Sequence, residues 1–533
     1  MTAEKPRILR GLRGAVPALL VLLAVTAPPA APAGLSTRES RGKRIYTEGI
    51  GSGPVTAYLP GPGIRVRGRG FPCIQCHRAD GKGVREGGVR AADITPFHLA
   101  KEYDGPRPSG RTHPPYTDAT LREAITNGRD PAGTPLATAH PRYAMVPEDL
   151  DDLVAYLKVL GEEPVPGIDP AEVRVGGLLP AGGPLAEAAD DVERFLSGFF
   201  SSVNDRGGIY ARKVRFAPVR FDPRVPGGAA SAARKIVEGG DIFCLVANLG
   251  VPVDDEAAGV LGKAKVPVIA PLAVAPEGPV WTERNTFHVI PDFHDQARVM
   301  VDYAMDAFPR ETVKVAIVHA ADPAGSGGAA GARVQAARRG IAVAADEPYA
   351  RGAFDPAGAA RRGRDSGAGT VLFFGGGEEI RSFLSEADRL GWAPRLLAPV
   401  AMTGNTLLSL PDRQASRVAL ASPSSPPDTS SNEWAGFAAL SARHGGTGRH
   451  GHFLASAYAG ALLVEKGLVL SGREATRERF VDALGRLRDF RTGVTPPLTY
   501  EENRRMGLRG ASILGIDATG RRFVTIAPWR EPR

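Results

Sequence analysis

Cys73, Cys76 and His77 form a Cys-x-x-Cys-His run, and they are the residues in this chain best suited to carry chemistry. Two thiols three positions apart can add to the two vinyl groups of a haem, and the adjacent histidine can then ligate the iron from one face. A redox dithiol would use the same two cysteines. It would be expected at a strand–helix junction of a βαβ unit, whereas here the motif follows Gly68-Arg69-Gly70-Phe71-Pro72. One covalently bound haem c, with its iron, is therefore the expected cofactor. The third cysteine, Cys244, lies in an apolar strand-like stretch, Asp241 to Ala247, and reads as a buried, inert thiol.

Covalent haem needs an exported protein, and the chain starts accordingly. Lys5, Arg7, Arg10 and Arg13 precede an apolar run from Ala15 to Ala27, and Ala31-Pro32-Ala33 offers small residues for cleavage. Residues 1–33 are read as a signal peptide. The apolar run is shorter than the roughly 20 residues of a spanning helix, so the mature chain is expected to lack a transmembrane segment and to reside in the periplasm. The 66 basic and 58 acidic residues leave a net charge of +8. The positive residues are scattered, with no aromatic-interleaved basic stripe, so nucleic acid is not an expected partner. Arg65, Arg67 and Arg69 cluster just before the haem motif, where they suit haem propionates, an acidic redox partner or plain solvent.

The elements that must hold the haem follow from local signals. Ser36 and Glu39 have the spacing of a helix-starting capping box, and Gly49 can stop that helix. The segment from Gly51 to Gly70 is rich in Gly and Pro and reads as loop. A short helix is expected near Asp118–Ile125, ending at Asn127-Gly128. Pro147 with Glu148 and Asp149 opens another, whose Leu150, Leu153, Val154 and Leu157 share one face that should pack near Tyr46. These pieces, with CIQCHRADGKG and PRYAMVPEDLDDLVAYLKVL, resemble a class I cytochrome c domain over residues 34–161. The resemblance implies a small all-α fold and an axial ligand opposite His77. In such domains a methionine commonly stands directly before the proline of this stretch, and His140 occupies that position here. His77/His140 ligation is the reading this implies, with Met145 as the rival and His98, His113 or an open site as further alternatives.

Pro164, Pro166 and Pro170 break periodicity, and residues 162–172 read as a linker. Beyond them strands and helices alternate, as in parallel sheets covered by helices. The stretches VNDRGGIYARKVRF, KIVEGGDIFCLVANLG, KVPVIAPLA and TGVTPPLTYEENRRMGLRGASI resemble the type 1 periplasmic binding proteins of the branched-chain amino acid and amide group. The resemblance covers residues 173–533 and implies a two-lobed α/β fold, so the whole is expected to be multidomain. A small-molecule solute would then bind between the lobes at strand ends: Gly250, Val251, Pro252, Ala270, Asp322, Ala324 and Glu378. The hydroxyls and the aromatic residue that hold an amino acid in such relatives are replaced by Val251, Ala270 and Ala324. Unpartnered buried charges are costly, so a solute other than a simple amino acid is expected.

No Ser/His/Asp set or paired carboxylates stand out, and enzymatic activity is not expected. The leading functional reading is a periplasmic electron-transfer protein that couples solute sensing, or a periplasmic dehydrogenase or other redox partner, to its haem. The alternative is a solute-binding receptor of an ABC transporter, docking its permease, with the haem as accessory.

Overall fold

The computed structural model describes residues 35–86, 88–102, 112–249, 255–273, 284–308, 314–424, 429–445 and 450–533. The expected signal peptide, residues 1–33, lies outside them. The chain forms two compact units, Met1–Pro164 and Val165–Arg533.

The first unit is built on two crossed helices, Thr37–Glu48 and Pro147–Leu157. The capping box at Ser36 forms: its hydroxyl accepts from the Glu39 N–H, and the Glu39 carboxylate accepts from the Ser36 N–H at 2.7 Å. Ile45, Tyr46, Leu153, Val154, Tyr156 and Leu157 make the shared core, with the Tyr46 and Tyr156 rings 5.5 Å apart. The helices approach so closely at Gly42 that a Cβ there would lie 2.0 Å from the Asp152 carbonyl oxygen. The third helix, Asp118–Thr126, is capped by Thr117. The loop expected over Gly51–Gly70 is corrected in part. It contains the strands Thr56–Leu59 and Ile64–Arg67, which pair with each other and, through Thr56–Leu59, with Arg142–Ala144. A glycine- and proline-rich ribbon of four-residue strands has too little alternation to be seen in sequence.

Among the described residues the second unit holds two large sheets and a two-stranded one, Leu178–Pro180 beside Val219–Phe221. In the first, Thr286–Phe287, Val268–Ile269, Cys244–Val246, Glu172–Gly176 and Lys213–Phe216 lie side by side and parallel. In the second, Val343–Tyr349, Val315–Ala320, Thr370–Phe374, Arg395–Pro399 and Val418–Ser422 are parallel, and Ala511–Asp517 and Arg522–Arg530 add an antiparallel edge. The chain passes between the sheets three times. It leaves the first after Phe287 for the helix Phe293–Ala307, which packs on the second core. It returns after Ser422 to helices Asn432–His444 and Gly451–Ser471, which pack in the first core. It leaves again before Ala511. The first and last passages are tied together, because the Tyr500 hydroxyl and the Gly507 N–H both donate to the His288 carbonyl at 3.0 and 2.9 Å.

Helix Gly451–Ser471 is long and apolar enough to cross a membrane by length and composition. Leu454, Ala457, Ala459, Leu463 and Val464 are buried in the core of the first lobe, which accounts for that composition. Cys244 is fully buried there too, and burial pushes its thiol up to about 12.

Candidate functional site

Cys73 caps the four-residue helix Ile74–His77, which places its side chain and that of Cys76 on one face. Two tyrosines tie down the chain just before and just after this short element. The Tyr46 hydroxyl donates to the Arg78 carbonyl at 2.6 Å, and the Tyr143 hydroxyl donates to the Phe71 carbonyl at 2.8 Å. The two thiols are not joined in a disulfide. Burial pushes the Cys73 thiol up to about 11, the opposite of the depressed value that makes a redox dithiol reactive.

The His77 ring is oriented by a hydrogen bond from Nδ1 to the Ala92 carbonyl, 2.9 Å. A carbonyl only accepts, so Nδ1 carries the proton and Nε2 presents its lone pair, the arrangement of a metal-ligating histidine. Burial lowers the His77 pKa, which favours the neutral ring. The His140 ring centroid lies 6.4 Å from that of His77. Two imidazoles on opposite sides of one metal, each nitrogen about 2 Å from it, would stand about that far apart. Thiols on one face and a preset His77 ring fit haem c, whereas Arg142 donates to Nδ1 of His140 and leaves the proton of that neutral ring on Nε2.

Met145 is half-buried against two apolar clusters, that of Leu153 and that of Val55, Ala57 and Tyr143. His98 contacts Thr95 and pairs with Asp93 at 3.2 Å, and the buried His113 bonds the Pro114 carbonyl at 2.8 Å. Arg65, Arg67 and Arg69 lie exposed on the ribbon just before the motif, with the Arg65 guanidinium over the Tyr58 ring.

In the second unit, Gly250, Val251 and Pro252 fall outside the described residues. Ala270 ends its strand with a left-handed φ of 49° and is fully buried, and it lies where a Cβ on Gly460 would strike it. Asp322 caps the helix Pro323–Arg339 through the Gly325 N–H and pairs with Arg351. Ala324 is half-buried in that helix's first turn. Glu378 is exposed and pairs with Arg381 at 3.0 Å. Its neighbour Glu379, absent from the sequence-based set, instead accepts from the Gly376 N–H at 2.7 Å and the Tyr349 hydroxyl at 2.5 Å. Desolvation, then that carboxylate, pushes the Tyr349 pKa up. Glu379 stands three residues after Gly376, a helix-start spacing that could have flagged it.

Residues 172–521 match the periplasmic binding protein family and residues 70–161 match the cytochrome c family. Both are carrier or transport families rather than enzymes. A Leu/Ile/Val-binding protein homologue of Brucella melitensis is 28% identical over 211 residues, 39% of this chain and 55% of that protein. Leu/Ile/Val-binding protein BraC3 of Rhizobium johnstonii is 27% identical over 148 residues, 27% of this chain and 39% of that protein. The chain thus spans about half the length of the first relative and less of the second. A branched-chain amino acid ABC transporter structure from Thermus thermophilus with bound valine shares the fold. Its TM-score is 0.51 at 17% identity, over 68% of this chain and 96% of that one.

These relatives overturn the expectation that the solute is something other than a simple amino acid. That expectation rested on side chains at Val251, Ala270 and Ala324. The first is not among the described residues, and the second is packed into the core, so neither carries the argument. The fold, the motif and the matches converge: the chain belongs to the periplasmic binding protein family and joins to it a haem-binding cytochrome c domain.

Proposed function

We propose that this chain is the periplasmic solute-binding receptor of an ABC-type transporter, that it takes an amino-acid-like solute, and that its haem unit is an accessory one-electron carrier. The observation that carries the reading is the pair of sheets joined by three passages, in a chain whose named relatives bind Leu, Ile and Val. Strand ends of both sheets supply backbone groups, and the Tyr349–Glu379 pair adds polar side chains at the edge of the second sheet. Isothermal calorimetry of the haem-loaded full chain with leucine, isoleucine and valine tests it. Saturable binding at micromolar concentration or tighter is expected, and no heat with any of the three would refute the amino-acid reading.

Haem supplies reversible one-electron chemistry when bound. Cys73 and Cys76 would hold it covalently, and His77 would ligate its iron through Nε2. Arg142 donates to Nδ1 of His140, so a neutral His140 ring carries its proton on Nε2; for His140 to ligate through Nε2 the proton would have to move to Nδ1 and the Arg142 contact would have to break.

A second reading, electron exchange with a periplasmic dehydrogenase or other redox partner, is favoured by the haem motif itself. It requires solute affinity to differ between the oxidised and reduced protein, which the same calorimetry reads.

A further inference from the structure

We propose that the first lobe carries a second binding site, between the helices Ala186–Asp205, Asn432–His444 and Gly451–Ser471, and that it takes a small zwitterion with an apolar body, of the free amino acid class. The site is a cavity of about 370 Å³, at the small end of the range of roughly 300–1,000 Å³ usual for ligand pockets. Phe199, Leu440 and Leu462 give it an apolar lining. Every lining residue lies on one of the three helices or directly after one, so the cavity is separate from the strand ends where the solute of the receptor would sit.

Tyr458 points to a ligand here. It is only 8% exposed, and its ring is held by Phe195, Phe199 and Phe437, with centroids 6.3, 5.7 and 5.5 Å away. Its hydroxyl lies beside Gly436 on the cavity wall and has no hydrogen-bond partner among the described residues. Buried tyrosine hydroxyls usually find one. Burial, then the Glu465 carboxylate, raises its pKa, so the hydroxyl keeps its proton and can donate. Gly436 leaves it uncovered, because a Cβ there would lie 2.8 Å from the Tyr458 oxygen. The charges around the cavity give the ligand its class. Arg206 and Glu465 pair at 2.9 Å and neutralise each other. Two opposite charges are left over. Asp205 ends the first helix and makes no ion pair among the described residues. Arg443 lies in the last turn of the second, and its guanidinium meets only the Ala439 carbonyl, at 3.3 Å, among the described residues. A lone anion or a lone cation would satisfy one of these charges and be repelled by the other, whereas a zwitterion complements both.

The test is calorimetry of the haem-loaded full chain with L-phenylalanine, whose ring suits the apolar lining, in the wild type and in Tyr458→Phe, Arg443→Ala and Gly436→Ala. The wild type should show a binding class that weakens about threefold to tenfold in Tyr458→Phe and at least about tenfold in Arg443→Ala. Gly436→Ala, which covers the hydroxyl, should abolish it. Benzoate and phenethylamine each lack one of the two charges, and both should bind the wild type at least about tenfold more weakly than phenylalanine. An amino acid held in the cleft appears as a separate class that all three variants keep, so failure of the receptor reading and failure of the second site are different results. Tyr458→Phe removes a single oxygen atom and decides the matter if another variant fails to fold. Phenylalanine binding that is unchanged in Tyr458→Phe and Gly436→Ala, or absent from the wild type, would overturn the second site. Benzoate or phenethylamine binding as tightly as phenylalanine would overturn the zwitterion.

Discussion

Gly42→Ala should destabilise the haem unit, although alanine is the better helix former. The gain in helix propensity is roughly 1 kcal/mol. Against it stands the crossing of Thr37–Glu48 over Pro147–Leu157, where the new methyl carbon would lie 2.0 Å from the Asp152 carbonyl oxygen, 2.6 Å from its carbon and 2.7 Å from Tyr156 Cβ. Overpacking costs about 1–3 kcal/mol. Two of the three obstructing atoms are backbone, which cannot swing aside, so the upper end of that range applies. The net loss is about 2 kcal/mol, and at about 4 °C per kcal/mol for a small domain Tm falls by about 8 °C. Thermal melts of the haem-loaded full chain, followed at the Soret band, report this unit alone. Gly259→Ala is the control, because a Cβ there meets nothing within 4 Å, and its haem melt should not change. A Gly42→Ala melt at or above the wild-type temperature would show that the helices separate without cost, and the reasoning would fail.

Replacing both Cys73 and Cys76 by serine should abolish haem staining on a denaturing gel; staining that persists would exclude thioether attachment there. Asp149 provides a pH test. Burial works to raise its pKa, but the Ser52 and Gly53 N–H groups at 2.8 and 3.1 Å, the Ser52 hydroxyl and Arg41 outweigh it and leave the carboxyl below its usual value. The stabilisation is fully present above the unfolded pKa of about 3.9 and disappears as pH falls through the folded one. Acid unfolding of the haem unit, read between about pH 5 and pH 2, should therefore be shallower for Asp149→Asn. Equal slopes would remove Asp149 from the account.

The helix starts at Ser36 and Pro147 were legible because a cap or an N-terminal proline is a local signal that no tertiary contact needs to complete. Most parallel strands of the second unit were legible as apolar runs separated by helices, but Thr286–Phe287, Val343–Tyr349 and Arg395–Pro399 were not. The antiparallel edge Ala511–Asp517 with Arg522–Arg530 was not, since Pro528 interrupts the apolar residues of Arg522–Arg530 and only Ala527 among them is buried. In the haem unit, His140 was singled out only by the resemblance, through its place before Pro141. Its contact with Arg142 was not, because nothing in the sequence says that Gly128 lies beneath that guanidinium. In the second unit the limit was sharper. Glu378 and Glu379 are adjacent in sequence, yet one faces solvent and the other bonds Tyr349, and only the phase of the helix separates them.

The three passages between the sheets set an order of assembly. The haem unit is contiguous, so every residue of its core is available once Leu160 has emerged. Neither lobe of the second unit shares that property. The first sheet's core waits for Leu454 to Leu508, which follow nearly all of the second lobe. The second sheet waits for Ala511 onward. Domains generally fold as units during synthesis, and here one unit can finish early while the other stays open until almost the whole chain has been delivered. During that interval the edge of strand Val418–Ser422 that later receives Ala511–Asp517 is unpaired, and an unpaired edge invites foreign strands. Chaperone demand during export should therefore concentrate on the binding unit, and haem attachment need not wait for it.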